Sequence, residues 1–269
     1  MATRRADGPP DGGRSTGADA DALLRRESVW RSVATLAGLL CGTVALYATT
    51  LTYGYVYEDV ARVTFQWEGW GSWGSRLRAV PTRSLTALVW DLVGQPTWYQ
   101  PAWQHATSIG LHLSNGALVW LLARRLQFSF LGVMMATGLF LWHPIQTEAV
   151  AYIAARSELL LTGSVLLALW CVERGWLWLA WPVALTAVGA KEAGVVALAL
   201  VPLWAWWRRH AWTRVAALRW AIASAPLIVL GLLWLATVVH VTRGLSVWKP
   251  VEMLTTLMAW TALIAQWAV

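Results

Sequence analysis

Between residues 31 and 269 the chain is divided into apolar runs of roughly 15 to 22 residues, about the length an α-helix needs to cross the hydrocarbon of a bilayer. A backbone in hydrocarbon must satisfy its own N–H and C=O groups, which leaves helices and closed barrels as the only spanning structures. Strand-like alternation is absent over most of the chain, so a barrel is not expected. The runs fall at 31–52, 104–123, 129–142, 149–171, 175–190, 193–207, 219–240 and 251–269. The expected fold is therefore all-α: a polytopic membrane protein of about eight transmembrane helices. Only 13% of the residues are charged, against about one quarter in soluble domains.

The net charge of +7 raises the question of nucleic acid. Its distribution answers it, because the basic residues gather at the ends of apolar runs. Arg25, Arg26 and Arg31 precede the first run, Arg124 and Arg125 follow the second, and Arg208, Arg209, Arg214 and Arg219 form the next large group. That is the positive-inside pattern of a protein whose partner is a lipid bilayer, not nucleic acid. It places the N-terminus in the cytoplasm of a multi-pass inner (plasma) membrane protein. The segments at 53–103, 143–148, 190–193 and 241–250 then face the opposite, extracytoplasmic side. Residues 1–22 read as a disordered cytoplasmic tail, rich in Gly, Pro, Asp, Ala and Arg without apolar periodicity. Residues 23–269 read as one transmembrane domain. Its first extracytoplasmic loop, 53–103, carries an apolar stretch near 76–93 suited to a helix lying in the interface. Most of the 22 tryptophans suit interfacial anchoring, while Trp67, Trp70 and Trp73 in that loop are also placed to stack on a sugar or a lipid.

Ionisable groups at membrane depth are costly unless paired or hydrated, and so mark function. The densest group lies at 143–158, where His143, Glu148, Arg156 and Glu158 sit inside or beside an apolar run. Pro144 and Thr147 suit a helix start near Gln146, with Glu148 in its first turn, favoured by the helix dipole. On one continuous helix Arg156 would lie about 12 Å beyond Glu148, too far to pair with it. It then either holds a phosphate bidentately or pairs structurally with another helix. Glu58 and Asp59 follow the first run, as a general base for a hydroxyl or as loop acids and a helix cap. His105 and His112, seven apart, share nearly one helix face, as functional groups or as helix–helix hydrogen-bonding residues. Lys191 and Glu192 interrupt a long apolar stretch, as a phosphate-binding charge or a snorkelled pair at a helix break. Glu58, Asp59 and His105 include metal-ligating types, but no spacing enforces a metal, and the sequence requires no cofactor.

Four stretches taken in order resemble the membrane portion of the GT-C glycosyltransferases, and within them the transmembrane and tetratricopeptide-repeat-containing protein O-mannosyltransferases and their bacterial relatives. They are Glu58-Asp59, Gln100 through Asn115, His143 through Val150 with Arg156-Ser157-Glu158, and Ala190 through Gly194. The resemblance implies an inverting transfer of mannose or a similar sugar from a polyprenyl-phosphate donor to a protein or glycan acceptor, at the extracytoplasmic face. It implies Asp59, with Glu58, as catalytic base. Arg156 and Lys191 are implied for the lipid phosphate, and His105, His143, Glu148 and Glu192 for shaping the substrate pocket. The chain departs from the family in having Tyr57-Glu58-Asp59 where two aspartates are usual, and in ending within its eighth run without tetratricopeptide repeats. It is therefore expected to be C-terminally truncated relative to the family. Two other functions stand beside this one: a non-catalytic scaffold that kept the fold, and a transporter of a lipid-linked substrate. The transporter would show paired broken helices in two related halves, which the sequence lacks.

Overall fold

The computed structural model describes residues 15–56, 59–60 and 83–208, together with the single positions 225, 229 and 233. Glu58, the loop tryptophans Trp67, Trp70 and Trp73, and the expected runs at 219–240 and 251–269 lie outside the described residues, save those three positions. The described residues are helical, with no strand among them. In chain order the α-helices are α1 (Ser15–Tyr47), α2 (Ser84–Gly94), α3 (Pro101–Arg125), α4 (Phe130–Trp142), α5 (Gln146–Ala151), α6 (Arg156–Arg174), α7 (Leu177–Ala190) and α8 (Val196–Arg208). Among the described residues, three stretches are long and apolar enough to cross a membrane: Val29–Thr52, Pro101–Arg125 and Ile153–Arg174. Phe130–Trp142 and Leu177–Ala190 are shorter apolar helices. α1 begins at Ser15, inside the stretch read from sequence as a tail.

The helix ends follow local chemistry. Pro101 opens α3 at a position where its missing N–H costs nothing. The Ser129 side chain accepts a hydrogen bond from the Gly132 N–H at 3.2 Å and caps α4. α6 ends in a left-handed Gly175 (φ 79°), with Gly175 N–H bonded to the Val172 carbonyl and Trp176 N–H to that of Cys171, a Schellman-type stop. His143, preceding Pro144, is extended, which terminates α4. α5 then begins at Gln146, where the sequence placed a helix start.

One expectation is corrected here. The run at 149–171 is not continuous: Tyr152 is extended (φ −94°, ψ 112°), a short 3-10 turn covers Ile153–Ala155, and α6 starts only at Arg156. The axial separation argued for Glu148 and Arg156 on one helix therefore does not apply. A second break falls where the sequence allowed one, since Lys191 is extended (φ −159°, ψ 156°) between α7 and the 3-10 turn Glu192–Val195.

α6 packs against α3, α7 and α8, and α1 joins α3 and α4. The core where α6, α7 and α8 meet is rich in alanine: Ala168, Ala180, Ala184, Ala187, Ala197 and Ala205 are all 0–1% exposed. Small side chains let helix backbones approach closely, which is how packing holds helices together when lipid is as apolar as the core. Near the other end, Tyr47, Ile109, Val150 and Leu159 form a separate buried cluster under the breaks.

Candidate functional site

The break at 152–155 delivers Arg156 into the protein interior, where it is 0% exposed. Burying a guanidinium requires its donors to be satisfied. The nearest turn of α3 does much of this. Nη1 donates to the Gln104 side-chain oxygen at 2.7 Å, Nη2 to the Gln104 backbone carbonyl at 2.8 Å, and Nε to the Ser108 hydroxyl at 3.5 Å. The face of Trp90, on α2, lies 5.4 Å from the guanidinium carbon, a cation–π distance. Gln104, Ser108 and Trp90 are each 2% exposed or less.

The chain leaving α1 brings a second set of groups to the same place. Tyr55 donates its hydroxyl to the Tyr99 carbonyl, and its ring lies 6.3 Å from that of Trp90. Burial pushes the Tyr55 phenol up to about 12; Asp59 and Tyr99 push the same way, while the Arg156 charge opposes them. Asp59 and Arg156 thus both lie within electrostatic reach of the Tyr55 phenol. Asp59 itself is 1% exposed. His105, also 1% exposed, packs edge-on to Tyr53 at 6.2 Å, one residue beyond Gln104. Tyr99 donates its hydroxyl to Asp91 at 3.3 Å, and Asp91 is 1% exposed. Trp98 and Tyr99 both have φ of 54°, a left-handed conformation that is costly for residues with a Cβ and is kept only where surroundings impose it. Gly94 is part of that imposition: a Cβ there would stand 2.1 Å from the Tyr99 ring.

Lys191 and Glu192 flank this centre, on the face covered by α2. Lys191 is ion-paired to Glu158, two residues beyond Arg156, and Glu192 accepts from Arg83 Nε at 3.3 Å. Both pairs are partly exposed, with the Lys191 side chain 29% accessible. Thr86 on α2 donates to the Ala190 carbonyl at 2.8 Å, tying α2 to the break. On another side, Val56, Thr147, Glu148, Ala151 and Tyr152 line a groove of about 450 Å³, starting one residue from Tyr55. His143 is exposed, with Nδ1 accepting from the Ile145 N–H at 3.2 Å, and is not among the residues lining that groove.

The second histidine is structural. His112 is hydrogen-bonded to the Leu141 carbonyl at 3.0 Å and packs on Tyr47 and Phe140, joining α3 to α4. Asn115 similarly donates to the Leu159 carbonyl at 2.9 Å. Residues absent from the sequence reading are Tyr55, Trp90, Asp91, Tyr99 and, as the seat of Arg156, Gln104 and Ser108. Asp91 had a usable signal, being a lone carboxylate within the apolar stretch Ser84–Gly94. Gln104 and Ser108 fall inside the stretch Gln100 through Asn115 that carries the family resemblance, but nothing singled them out within it. Among the described residues, no group of three or more His, Cys, Asp or Glu is placed to hold a metal ion.

Fold and site together define a helical membrane protein with a buried arginine and a buried carboxylate, both within electrostatic reach of one phenol. Over 195 residues the chain is 31% identical to the Protein O-mannosyl-transferase Tmtc1 of Drosophila melanogaster, an alignment that takes in 64% of this chain and 23% of that protein. The chain therefore spans about a quarter of the length of that relative. No family model matches the sequence, and no solved structure matches it.

Proposed function

We propose that the chain is a GT-C-type membrane glycosyltransferase unit, moving mannose or a similar sugar from a polyprenyl-phosphate carrier to a hydroxyl of a protein or glycan, at the extracytoplasmic face. The observation that carries this reading is the burial of a carboxylate, Asp59, and a guanidinium, Arg156, both within electrostatic reach of Tyr55, supported by the similarity to a protein O-mannosyl-transferase. In the reaction the acceptor oxygen attacks the anomeric carbon from the side opposite the carrier. Its proton passes to Asp59 as the new C–O bond forms. The bond from the anomeric carbon to the phosphate oxygen breaks, and the phosphate keeps the electron pair. Positive charge fixed near that oxygen stabilises the transition state. Arg156, held by Gln104 and Ser108, supplies it from the buried side. Lys191 supplies it from the accessible side by exchanging Glu158 for the phosphate. The groove at Val56 and Glu148 takes the carrier or the acceptor, and its proximity to buried chemistry limits water and hence donor hydrolysis.

The hydrogen bonds from three Arg156 nitrogens to Gln104 and Ser108 also suit a scaffold that has kept the fold without the reaction. The two readings separate in one assay. The full chain in lipid nanodiscs is given polyprenyl-phosphate mannose, and donor loss is followed with and without peptide and glycan acceptors. A transferase consumes donor, and Asp59→Asn reduces the rate by about 10²- to 10⁴-fold. Donor loss equal in the wild type, Asp59→Asn and empty nanodiscs leaves the scaffold.

A further inference from the structure

The opposite end of the bundle holds a second constellation of charge. α3, α6 and α8 terminate together there, and Arg125, Glu173, Arg174 and Arg208 line a hollow of about 310 Å³ with Val172 and Gly175. Glu173, 9% exposed, organises it. Its carboxylate accepts from Arg208 Nε at 2.6 Å and Nη2 at 2.9 Å and from the Trp204 indole at 2.9 Å. Its backbone carbonyl accepts from Arg125 Nε at 3.3 Å and Nη2 at 3.2 Å.

These bonds orient two guanidiniums and leave donors over. A guanidinium has five N–H groups in a fixed fork, and the Nη1 atoms of Arg125 and Arg208 make no hydrogen bond among the described residues. Arg174 makes none there either: its guanidinium rests over Trp170 and Trp176 at 5.1 and 5.3 Å. Helix C-terminal dipoles favour cations here in their own right. They do not explain why three guanidiniums surround one hollow around a single carboxylate. The tryptophans Trp170, Trp176, Trp204 and Trp207, paired edge to face, set the depth at the membrane interface, where indoles concentrate.

We propose that this hollow binds a phosphate anion, and that the anion is the headgroup phosphate of an anionic phospholipid. Arginine forks match phosphate oxygens, and basic pockets between membrane helices are characteristic seats for such headgroups. The site lies at the end of the bundle remote from Asp59 and is independent of the glycosyltransferase reading.

The test is lipid retention by the full chain in a zwitterionic detergent, read by native mass spectrometry after titration with phosphatidylglycerol, phosphatidylcholine or inorganic phosphate. The wild type is expected to retain phosphatidylglycerol over phosphatidylcholine. Arg125→Gln with Arg174→Gln is expected to weaken that retention about 10- to 30-fold. Arg31→Gln with Arg124→Gln removes the same charge from residues that instead contact Phe130 and Ser32, and is expected to leave retention unchanged. Equal weakening by both double variants, or weakening by neither, overturns the site. Displacement of the lipid by millimolar inorganic phosphate overturns the lipid assignment in favour of a soluble anion.

Discussion

Arg156 donates to the Gln104 side chain, the Gln104 backbone carbonyl and the Ser108 hydroxyl, so two of these three bonds depend on the placement of Gln104. Gln104→Ala removes one acceptor and opens space beside a buried charge. A loss of about 1–3 kcal/mol or more is expected, read as a lower unfolding temperature in detergent. Lys191→Met should behave differently. Its ion pair with Glu158 is partly exposed, so stability changes by no more than about 1 kcal/mol. The lipid-donor KM should instead rise severalfold in the donor-loss assay. Tyr55 provides a pH signature. Its phenol is raised from 10.0 to about 12 in the folded protein, so its contribution to stability is intact below pH 10 and is lost as pH rises towards 12. Thermal unfolding at pH 9 and above pH 11 should show that decline, and Tyr55→Phe should flatten it.

At the scale of elements, the site exists because helices stop. An unbroken helix from Gln146 to Arg174 would carry Arg156 away from Gln104; the extended Tyr152 and the turn after it return the chain towards α3. The packing of the turn after α7 relies on Gly194, where a Cβ would stand 1.9 Å from the Ala187 carbonyl oxygen. Gly194→Ala must shift backbone and is expected to cost about 1–3 kcal/mol, with the Arg83–Glu192 and Lys191–Glu158 pairs displaced. Gly94→Ala should expel the Tyr99 ring from α2 and separate Tyr99 from Asp91. An aromatic-to-helix contact seen by NMR in the wild type and missing in the variant would verify this. A spectrum that keeps the contact would not fit. The apolar runs made α3, α4, α7 and α8 legible within a few residues of their observed ends. The break at Tyr152 was hidden, because Ala151-Tyr152-Ile153 contains neither Gly nor Pro and reads as continuous apolar helix.

At the scale of the molecule, ionisable clusters among the described residues sort to two ends of an apolar bundle. Asp59, His105, Arg156 and Lys191 gather where α1 ends and α3 and α6 begin; Arg125, Glu173, Arg174 and Arg208 gather where α3, α6 and α8 end. The sequence showed this division through its arginines, and Arg156, Lys191 and Glu192 stood out in it as ionisable interruptions of apolar runs. It could not show that Asp59 and Arg156 come within electrostatic reach of one phenol, since 96 positions lie between them in the chain and the packing of Tyr55 and Arg156 on Trp90 is not legible in the sequence. The sequence favoured His105, at the outer end of its helix, over His112 as the functional histidine, and the structure shows what packs on each: Tyr53 on His105, and the Leu141 carbonyl bonded to His112.

The most direct test of the account is an experimental structure of the full chain in nanodiscs with a non-hydrolysable polyprenyl-phosphate-sugar analogue. The account predicts the analogue's phosphate beside Lys191 and Arg156, with the anomeric carbon facing Asp59. A phosphate bound elsewhere, with Asp59 directed away from the sugar, would contradict it.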